Sequence, residues 1–227
     1  MFHSRTRILP ASMISVLMPI YNGIEYIVDS VPSVIGQTYG NWELIIGING
    51  HEPMSITYLI AKQYANDSRI RVLDLEGVRG KPNALNEMMK SANGDYIAIL
   101  DVDDIWHPEK LEKQMGLVPK YDVIGTNCVY FGESKAVPKL PLGDLSNTNF
   151  FEYNPLINSS TLIRKELCWW NPAYDVEDYE LWLRLRKMGK SFFNVPEILV
   201  KHRIHKQSAF NTKDHRVQIE EIKKMYS

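Results

Sequence analysis

Short apolar runs rich in β-branched residues alternate along the chain with segments whose apolar residues recur at helical spacing. The apolar runs predict four strands, over residues 14–18, 43–48, 70–75 and 96–100. The intervening segments predict helices over residues 25–37, with a break or restart at Pro32, over 54–65 and over 82–92. This βαβαβαβ alternation predicts a parallel, doubly wound sheet with helices on both faces.

The second half of the chain is less regular. Strands are predicted over residues 123–131, 161–163 and 195–204, helices over 177–188 and 214–226, and a polar surface loop over 137–154. No repeat or Pro/Gly/Ser-rich linker divides the sequence. We therefore expect one domain over residues 1–227, in which the first half, to about residue 106, binds a nucleotide and residues 107–227 complete the site.

Composition narrows the class of protein. The chain has 227 residues, of which 44% are apolar, enough to bury one sizeable core. Because its 26 Lys and Arg residues are balanced by 27 Asp and Glu residues, the chain lacks the basic excess of a nucleic-acid binder. Cys128 and Cys168 have no metal-ligand spacing and are expected to be reduced thiols of a cytoplasmic protein. No unbroken apolar run approaches the ~20 residues of a membrane span, so no transmembrane segment is expected.

The acidic run Ile99-Leu100-Asp101-Val102-Asp103-Asp104 follows the fourth predicted strand. Ligands of open α/β sheets bind at the carboxyl ends of the strands, and carboxylates two residues apart can converge on one divalent cation. On its own, the run is equally well explained as an acidic turn leading to Pro108, with Asp104 as a cap. Glu177 and Asp178 begin a predicted helix, where the helix dipole alone also favours acids.

Two other segments place polar groups near predicted element ends. The glycine-bearing segment 77–86 leads into a helix start, which suits phosphate groups or sugar hydroxyls near Lys81. An ordinary capped turn with a solvated lysine explains the same residues. Near the end of the chain, strand alternation puts Arg203 and His205 on one face and His202 on the other.

Taken in order, these segments resemble the family 2 inverting glycosyltransferases, which have the GT-A fold. The resemblance is carried by Pro19-Ile20-Tyr21-Asn22, Gln37-Thr38-Tyr39-Gly40-Asn41-Trp42-Glu43, Gly80-Lys81-Pro82-Asn83-Ala84-Leu85-Asn86, Leu100-Asp101-Val102-Asp103-Asp104, Glu177-Asp178 and residues 201–208, and it extends from Ile14 to about Phe210. It implies a Rossmann-like α/β sandwich with a mainly parallel central sheet flanked by helices.

The resemblance also implies an activity and a set of site residues. It implies a metal-dependent inverting hexosyltransferase that moves a sugar from a nucleotide-diphosphate sugar, most often UDP-linked, to a carbohydrate or other hydroxyl-bearing acceptor. Asp178 would be the general base, with Glu177 in support. The donor would contact Pro19, Tyr21, Asn22, Lys81, Asn83, Asp101 and Arg203. Mn²⁺ or Mg²⁺ would bind Asp103, with Asp101, which is also near the donor, and His205 as further ligands. His205 is also explained as a solvated histidine.

One departure from the family pattern concerns the turn after the second strand. The family has an acidic Asp-Asp-Gly-Ser turn there, whereas this chain has Asn49-Gly50-His51 without a carboxylate. The Asn49 amide can still pair with a base edge, and His51 either contacts the nucleotide or is solvated. Trp169 and Trp170 either stack on a sugar ring or pack in the core.

Three other classes of protein compete with the glycosyltransferase. A nucleotidyltransferase should have a Gly-rich loop with Arg or Lys directly after the first strand, and Pro19-Ile20-Tyr21-Asn22 lacks it. A phosphatase with an Asp-x-Asp nucleophile should carry that motif after its first strand, not in mid-chain. A non-catalytic nucleotide-sugar-binding module would not need both the acidic run and the Glu177-Asp178 pair.

Overall fold

The computed structural model describes residues 12–206 and 214–227. The strands are β1 (Ile14–Ile20), β2 (Trp42–Asn49), β3 (Ile70–Leu75), β4 (Tyr96–Ile99), β5 (Ile105–Trp106), β6 (Val123–Gly132), β7 (Gly143–Asp144), β8 (Leu162–Arg164) and β9 (Phe192–Ile204). The helices are α1 (Ile27–Ile35), α2 (Ile56–Lys62), α3 (Lys81–Met89), α4 (Lys110–Met115), α5 (Glu177–Lys187) and α6 (Arg216–Tyr226). Short 3₁₀ helices span Ile24–Tyr26, Gln63–Asn66, Asn158–Ser160 and Lys165–Leu167.

Over the described part of the chain, the nine strands form one sheet in the order β3-β2-β1-β4-β8-β6-β9-β5, with β7 paired to β9. Strands β3, β2, β1 and β4 are parallel, as predicted. Beyond β4 the sheet is mixed, because β8 runs antiparallel to both β4 and β6, whereas β6 and β9 are parallel. The α/β class is confirmed, and the purely parallel pattern is confined to the first half.

Helices cover both faces of the sheet. Every residue of β1 and β2 is buried, as is typical of parallel strands covered on both sides. One apolar core lies under α1, α2 and α4 and includes Val31, Ala61 and Leu111; a second lies under α3, α5 and α6. Within residues 12–206 and 214–227, no helix combines the length and the apolar character that a membrane crossing requires.

Two predicted helices differ from the observed ones. The predicted break at Pro32 is wrong: Pro32 is the sixth of the nine residues of α1, and the helix continues past it to Ile35 without the one backbone hydrogen bond that a proline nitrogen cannot donate. The helix predicted over residues 54–65 is shorter: α2 ends at Lys62 and a 3₁₀ turn follows. Its apolar residues do not all face the core, since Ile56 is 70% exposed while the small Ala61 is fully buried.

The sequence segment 37–43 connects elements at the end of the sheet opposite the acidic run. The Gln37 amide donates to the carbonyl oxygens of Ser33 and His107 at 3.0 and 2.8 Å and accepts from the backbone N–H of Leu111. It thereby joins α1 to the start of α4. This part of the family motif therefore has a structural role.

Glu43, in the same segment, is a buried carboxylate with four hydrogen bonds. Its Oε1 accepts from Ser15 Oγ and Asn93 N, both at 2.6 Å, and its Oε2 accepts from Arg71 Nη2 at 2.7 Å and Asn93 Nδ2 at 3.1 Å. Burial opposes the charge, but the hydrogen bonds from Ser15 and Asn93 and the Arg71 charge hold the pKa of Glu43 below its ordinary value. Glu43 therefore fastens β1, β2 and the segment before β4 together.

Candidate active site

The acidic turn after β4 meets basic groups from distant parts of the chain. Each of its three aspartates has one basic partner: Asp101 pairs with Lys81, Asp103 with His205 and Asp104 with His202. The partners come from the start of α3 and from the end of β9. With the start of α5, described below, the structure thus brings together four of the segments singled out in the sequence: the acidic run, the segment 77–86, the Glu177-Asp178 pair and the segment 201–208.

Asp104 fastens the end of β9 to the acidic turn. Its fully buried carboxylate accepts from the backbone N–H of Arg203 at 2.8 Å and lies 2.9 Å from Nδ1 of His202. Burial opposes protonation of His202, but the Asp104 carboxylate raises the pKa of His202 to about 9, so the pair is ionic at neutral pH. The interpretation of Asp104 as a helix cap in a surface turn is wrong, since Asp104 is buried and α4 begins only at Lys110.

Lys81 connects the acidic turn to the start of α5. Its Nζ lies 2.6 Å from Asp101 Oδ1 and 3.2 Å from Glu177 Oε1. Burial opposes the ammonium charge, but Asp101 and Glu177 overcome that effect and raise the pKa of Lys81 above its ordinary value. The alternative of a solvated lysine is therefore wrong.

Glu177 and Asp178 form an acidic pair at the start of α5, in which Glu177 is buried and Asp178 is partly exposed. Burial raises the pKa of Glu177 to about 7, in spite of the nearby Lys81. Burial also raises the pKa of Asp178, against the opposing effects of Lys81 and of hydrogen bonds from Tyr179 N at 2.7 Å and Asn154 Nδ2 at 3.0 Å. The pKa of Glu177 therefore lies near neutral pH, and that of Asp178 is raised above its ordinary value, so both carboxylates suit proton transfer.

Asp103 and His205 are the residues that best fit a divalent cation. Their side chains lie 2.9 Å apart, and burial together with Asp104 and Asp101 raises the pKa of Asp103. A bound cation would offset this concentration of negative charge. In the described ranges, no group of three or more His, Cys, Asp or Glu side chains is arranged to hold a metal ion. A cation at Asp103 and His205 would take its remaining ligands from a bound molecule or water, and a third protein ligand from Asp101 stays a prediction.

The loops that follow β1 and β2 pack against each other. Tyr21 is 57% exposed, and its ring centroid lies 5.6 Å from that of the His51 ring. A hydrogen bond between His51 Nε2 and the backbone carbonyl oxygen of Tyr21 also joins the two residues. Gly50 adopts φ +74°, and a Cβ there would lie 2.8 Å from the Tyr21 ring, so the turn requires glycine. Asn22 is exposed beside Tyr21, and Pro19 is buried at the end of β1.

Asn49 and Asn83, two further residues predicted to contact the donor, are less accessible or are engaged within their own segment. Asn49 is buried at the end of β2. Asn83 is exposed and donates to the Arg79 carbonyl oxygen at 2.9 Å, within its own loop. Asn86 exchanges two hydrogen bonds with the backbone of Trp170, which is fully buried and therefore a core residue. The donor roles of Asn49 and Asn83 stay predictions.

Arg203 and His205 share one face of the end of β9, as alternation predicts. The Arg203 guanidinium lies between the rings of Tyr26 and Phe131, 4.3 and 4.2 Å from their centroids, and the His205 ring also lies against Tyr26. Arg203 also donates to the backbone oxygen of Asp103 at 3.0 Å. The end of the motif, Gln207, Ser208 and Phe210, lies outside the described residues.

Asn154 is the site residue that the sequence analysis missed. It comes from the 137–154 segment, which was predicted only to be a surface loop, and it contacts the candidate base Asp178 directly. The one local signal was the Asn154-Pro155 pair, which is typical of a turn but gives no indication of a site.

Known proteins resemble this chain in sequence and in fold. The family model of glycosyl transferase family 2 matches residues 15–180. The chain is 31% identical to the UDP-Glc:alpha-D-GlcNAc-diphosphoundecaprenol beta-1,3-glucosyltransferase WfgD of Escherichia coli, over 88% of this chain and 81% of that protein. It is 30% identical to an uncharacterized glycosyltransferase of Haemophilus influenzae, over 89% of this chain and 69% of that protein.

Two solved structures have the same fold. Staphylococcus aureus TarS 1–349 in complex with UDP-GlcNAc aligns with a TM-score of 0.72 at 19% identity, over 89% of this chain and 61% of that one. The mannosyltransferase PcManGT of Pyrobaculum calidifontis, in complex with GDP-Man and Mn²⁺, aligns with a TM-score of 0.67 at 18% identity, over 87% of this chain and 58% of that one. The chain thus spans about three fifths of each of these structures, and the expected GT-A-type fold is confirmed. Because the family model covers well over half of its residues, the chain belongs to glycosyl transferase family 2.

Proposed function

We propose that the chain transfers a sugar from a UDP-linked nucleotide sugar to an acceptor hydroxyl, with inversion at the anomeric carbon and Asp178 as the general base. The observation that carries the proposal is the Glu177-Asp178 pair, which Lys81 joins to the acidic turn through contacts of 3.2 Å with Glu177 and 2.6 Å with Asp101. A proton acceptor and a cluster suited to a diphosphate and its cation therefore belong to one connected site.

The proposed roles follow from the charges that change in the reaction. The acceptor hydroxyl must lose its proton as it attacks, and an Asp178 carboxylate oxygen is to accept it. The ammonium of Lys81 and the start of α3 are positive groups near the departing diphosphate. One displacement with one base inverts the anomeric centre, so Glu177 needs no nucleophilic role and is proposed as a supporting group for the acceptor.

Asp103 and His205 would hold Mn²⁺ or Mg²⁺. When bound, such a cation acts as a Lewis acid that stabilises the charge on the diphosphate. PcManGT was solved in complex with Mn²⁺, which supports the proposal for this chain. Asp101, held by Lys81, is proposed to lie near the donor sugar.

UDP is the proposed nucleotide because the relatives point to it. TarS was solved with UDP-GlcNAc, and WfgD is named for UDP-Glc as donor. We propose that the exposed Tyr21 ring stacks on the base and that Asn22, Asn49 and Arg203 complete the donor site. A carbohydrate hydroxyl is the proposed acceptor, in line with the name of WfgD.

The test is a panel of UDP-glucose, UDP-GlcNAc and GDP-mannose, with and without Mn²⁺, read by thermal shift, nucleoside diphosphate release and proton NMR of the anomeric centre. We expect Asp178→Asn to bind donor normally while kcat falls about 10²- to 10⁴-fold, as for a lost base. Asp214→Asn, an exposed aspartate before α6, is the matched control. Full turnover by Asp178→Asn would refute the base, a product of retained configuration would refute inversion, and unchanged turnover after chelation would refute the metal.

A further inference from the structure

We infer that Asn154 is a positioning residue that orients the Asp178 carboxylate and keeps it ionised, an inference that rests on the proposed role of Asp178 as the base. Asn154 Nδ2 lies 3.0 Å from Asp178 Oδ2, across 24 residues of sequence. No motif in the sequence assigns a role to Asn154, and its segment was predicted only to be a polar loop.

The turn at Asn154 fixes which end of its amide faces Asp178. The side-chain Oδ1 accepts from the backbone N–H of Leu156 at 3.2 Å, an Asx turn. Because the oxygen is engaged by that N–H, the NH₂ group must point to the carboxylate. Pro155 follows directly and restricts the backbone of Asn154 to extended conformations. The donor is therefore oriented before any substrate binds.

Each oxygen of Asp178 has one fixed donor. Asn154 donates to Oδ2, and the backbone N–H of Tyr179 donates to Oδ1 at 2.7 Å. The charged groups that face Asp178 are Lys81 from α3, Asp101 from the acidic turn and its neighbour Glu177. Two of these three are acids and disfavour a further negative charge, so a neutral donor stabilises the ionised base without adding a competing cation.

The same loop offers a matched comparison at Asn149. Its Oδ1 accepts from the backbone N–H of Phe151 at 3.0 Å, and its Nδ2 donates to Glu152 Oε1 at 3.1 Å. The turn and the carboxylate partner are thus the same in kind, but Asn149 and Glu152 are exposed. A purely structural role for Asn154 would make the two asparagines equivalent.

Asn154→Asp is the decisive variant, because aspartate keeps the Asx turn and replaces the donor by a second carboxylate. We expect the pKa of Asp178, followed by ¹³C NMR of labelled aspartate carboxyls, to rise by about one unit or more, as for two carboxylates that share a site. The acid limb of the kcat–pH profile for UDP-glucose or UDP-GlcNAc turnover should move to higher pH by the same amount. On that limb, the rate at a given pH falls about tenfold per unit.

Asn149→Asp is expected to leave both the Asp178 titration and the acid limb unchanged. Asn154→Ala and Asn149→Ala form a second pair, in which each variant loses one Asx turn. We expect both variants to lose a similar amount of Tm but only Asn154→Ala to displace the acid limb. That result separates a positioning role from a role in folding. An unmoved Asp178 titration and an unmoved limb in Asn154→Asp would overturn the inference. Asp178→Asn, measured in parallel, identifies its NMR signal and separates the two proposals: its full turnover refutes the base, whereas the titration still reports on Asn154.

Discussion

Replacing Glu43 by glutamine tests the reasoning about the end of the sheet remote from the site. Glutamine keeps one acceptor oxygen but presents an NH₂ group to donors, so about two of the four hydrogen bonds are lost. A hydrogen bond to a charged group contributes about 1.5–3 kcal/mol. The Arg71 side chain is 41% exposed, so solvent screening reduces the contribution of the Arg71–Glu43 ion pair to stability. We expect the free energy of unfolding at pH 7 to fall by about 2–4 kcal/mol, which lowers Tm by roughly 4–16 °C in a chain of this size.

The pH dependence has a defined sign. The pKa of Glu43 in the folded chain lies below its ordinary value of 4.5, so its stabilisation is fully present above pH 4.5 and is lost as pH falls through the lower folded value. The difference between the unmutated chain and Glu43→Gln, measured by urea denaturation, should therefore shrink below pH 4.5. Glu52→Gln, at an exposed position, is the control, with an expected change within about 0.5 kcal/mol. A difference of that small size for Glu43→Gln at pH 7, or one that grows in acid, would refute the reasoning.

Three further changes test other parts of the molecule. Tyr21→Ala should weaken UDP binding by about 1–3 kcal/mol through the loss of base stacking, and equal affinity in isothermal titration would place the base elsewhere. Asp103→Ala should abolish the Mn²⁺ dependence of UDP binding in the same assay, and retained dependence would contradict its role as a ligand. Lys110 is fully buried, with its Nζ 2.9 Å from Gln114 Oε1 and 3.9 Å from the Trp106 ring, and burial lowers its pKa well below 10.5. Unfolding therefore takes up a proton at any pH between the lowered pKa of the folded chain and 10.5, so the unmutated chain should gain stability relative to Lys110→Met as pH rises through that range; parallel stability curves would contradict this.

The first half of the fold could be predicted from the sequence because its signals are long. Strands β1 to β4 are apolar runs separated by helical segments, and β3 was predicted with its observed bounds, Ile70–Leu75. In the later part, β6, β8, β9, α5 and α6 were predicted to within three residues of their observed bounds. Strands β5 and β7 were not predicted, since each has two residues, too few to show a period. The antiparallel insertion of β8 beside β4 depends on tertiary packing that no local pattern expresses.

The site divides in the same way. The acidic turn and the Glu177-Asp178 pair stand out locally as charged residues at element ends. The contacts between these groups do not, because the contact of Lys81 with Glu177 joins residues far apart in the chain, and Asn154 is one asparagine in a polar loop. Local pattern therefore identifies groups that carry chemistry, whereas the groups that tune them are found only in three dimensions.

The clamp between Asp104 and the end of β9 has a consequence for biosynthesis. His202 and His205 meet their aspartates across 98 and 102 residues of sequence, and β9 pairs with β6 and β5, which both precede it in the chain. Contacts of such long range form late, since loop closure opposes them. A nascent chain that has not yet released β9 from the ribosome therefore carries the acidic turn without its histidines. The proposed cation site therefore gains its histidine, and the acidic turn its buried ion pair, only once β9 and the residue after it have been synthesised.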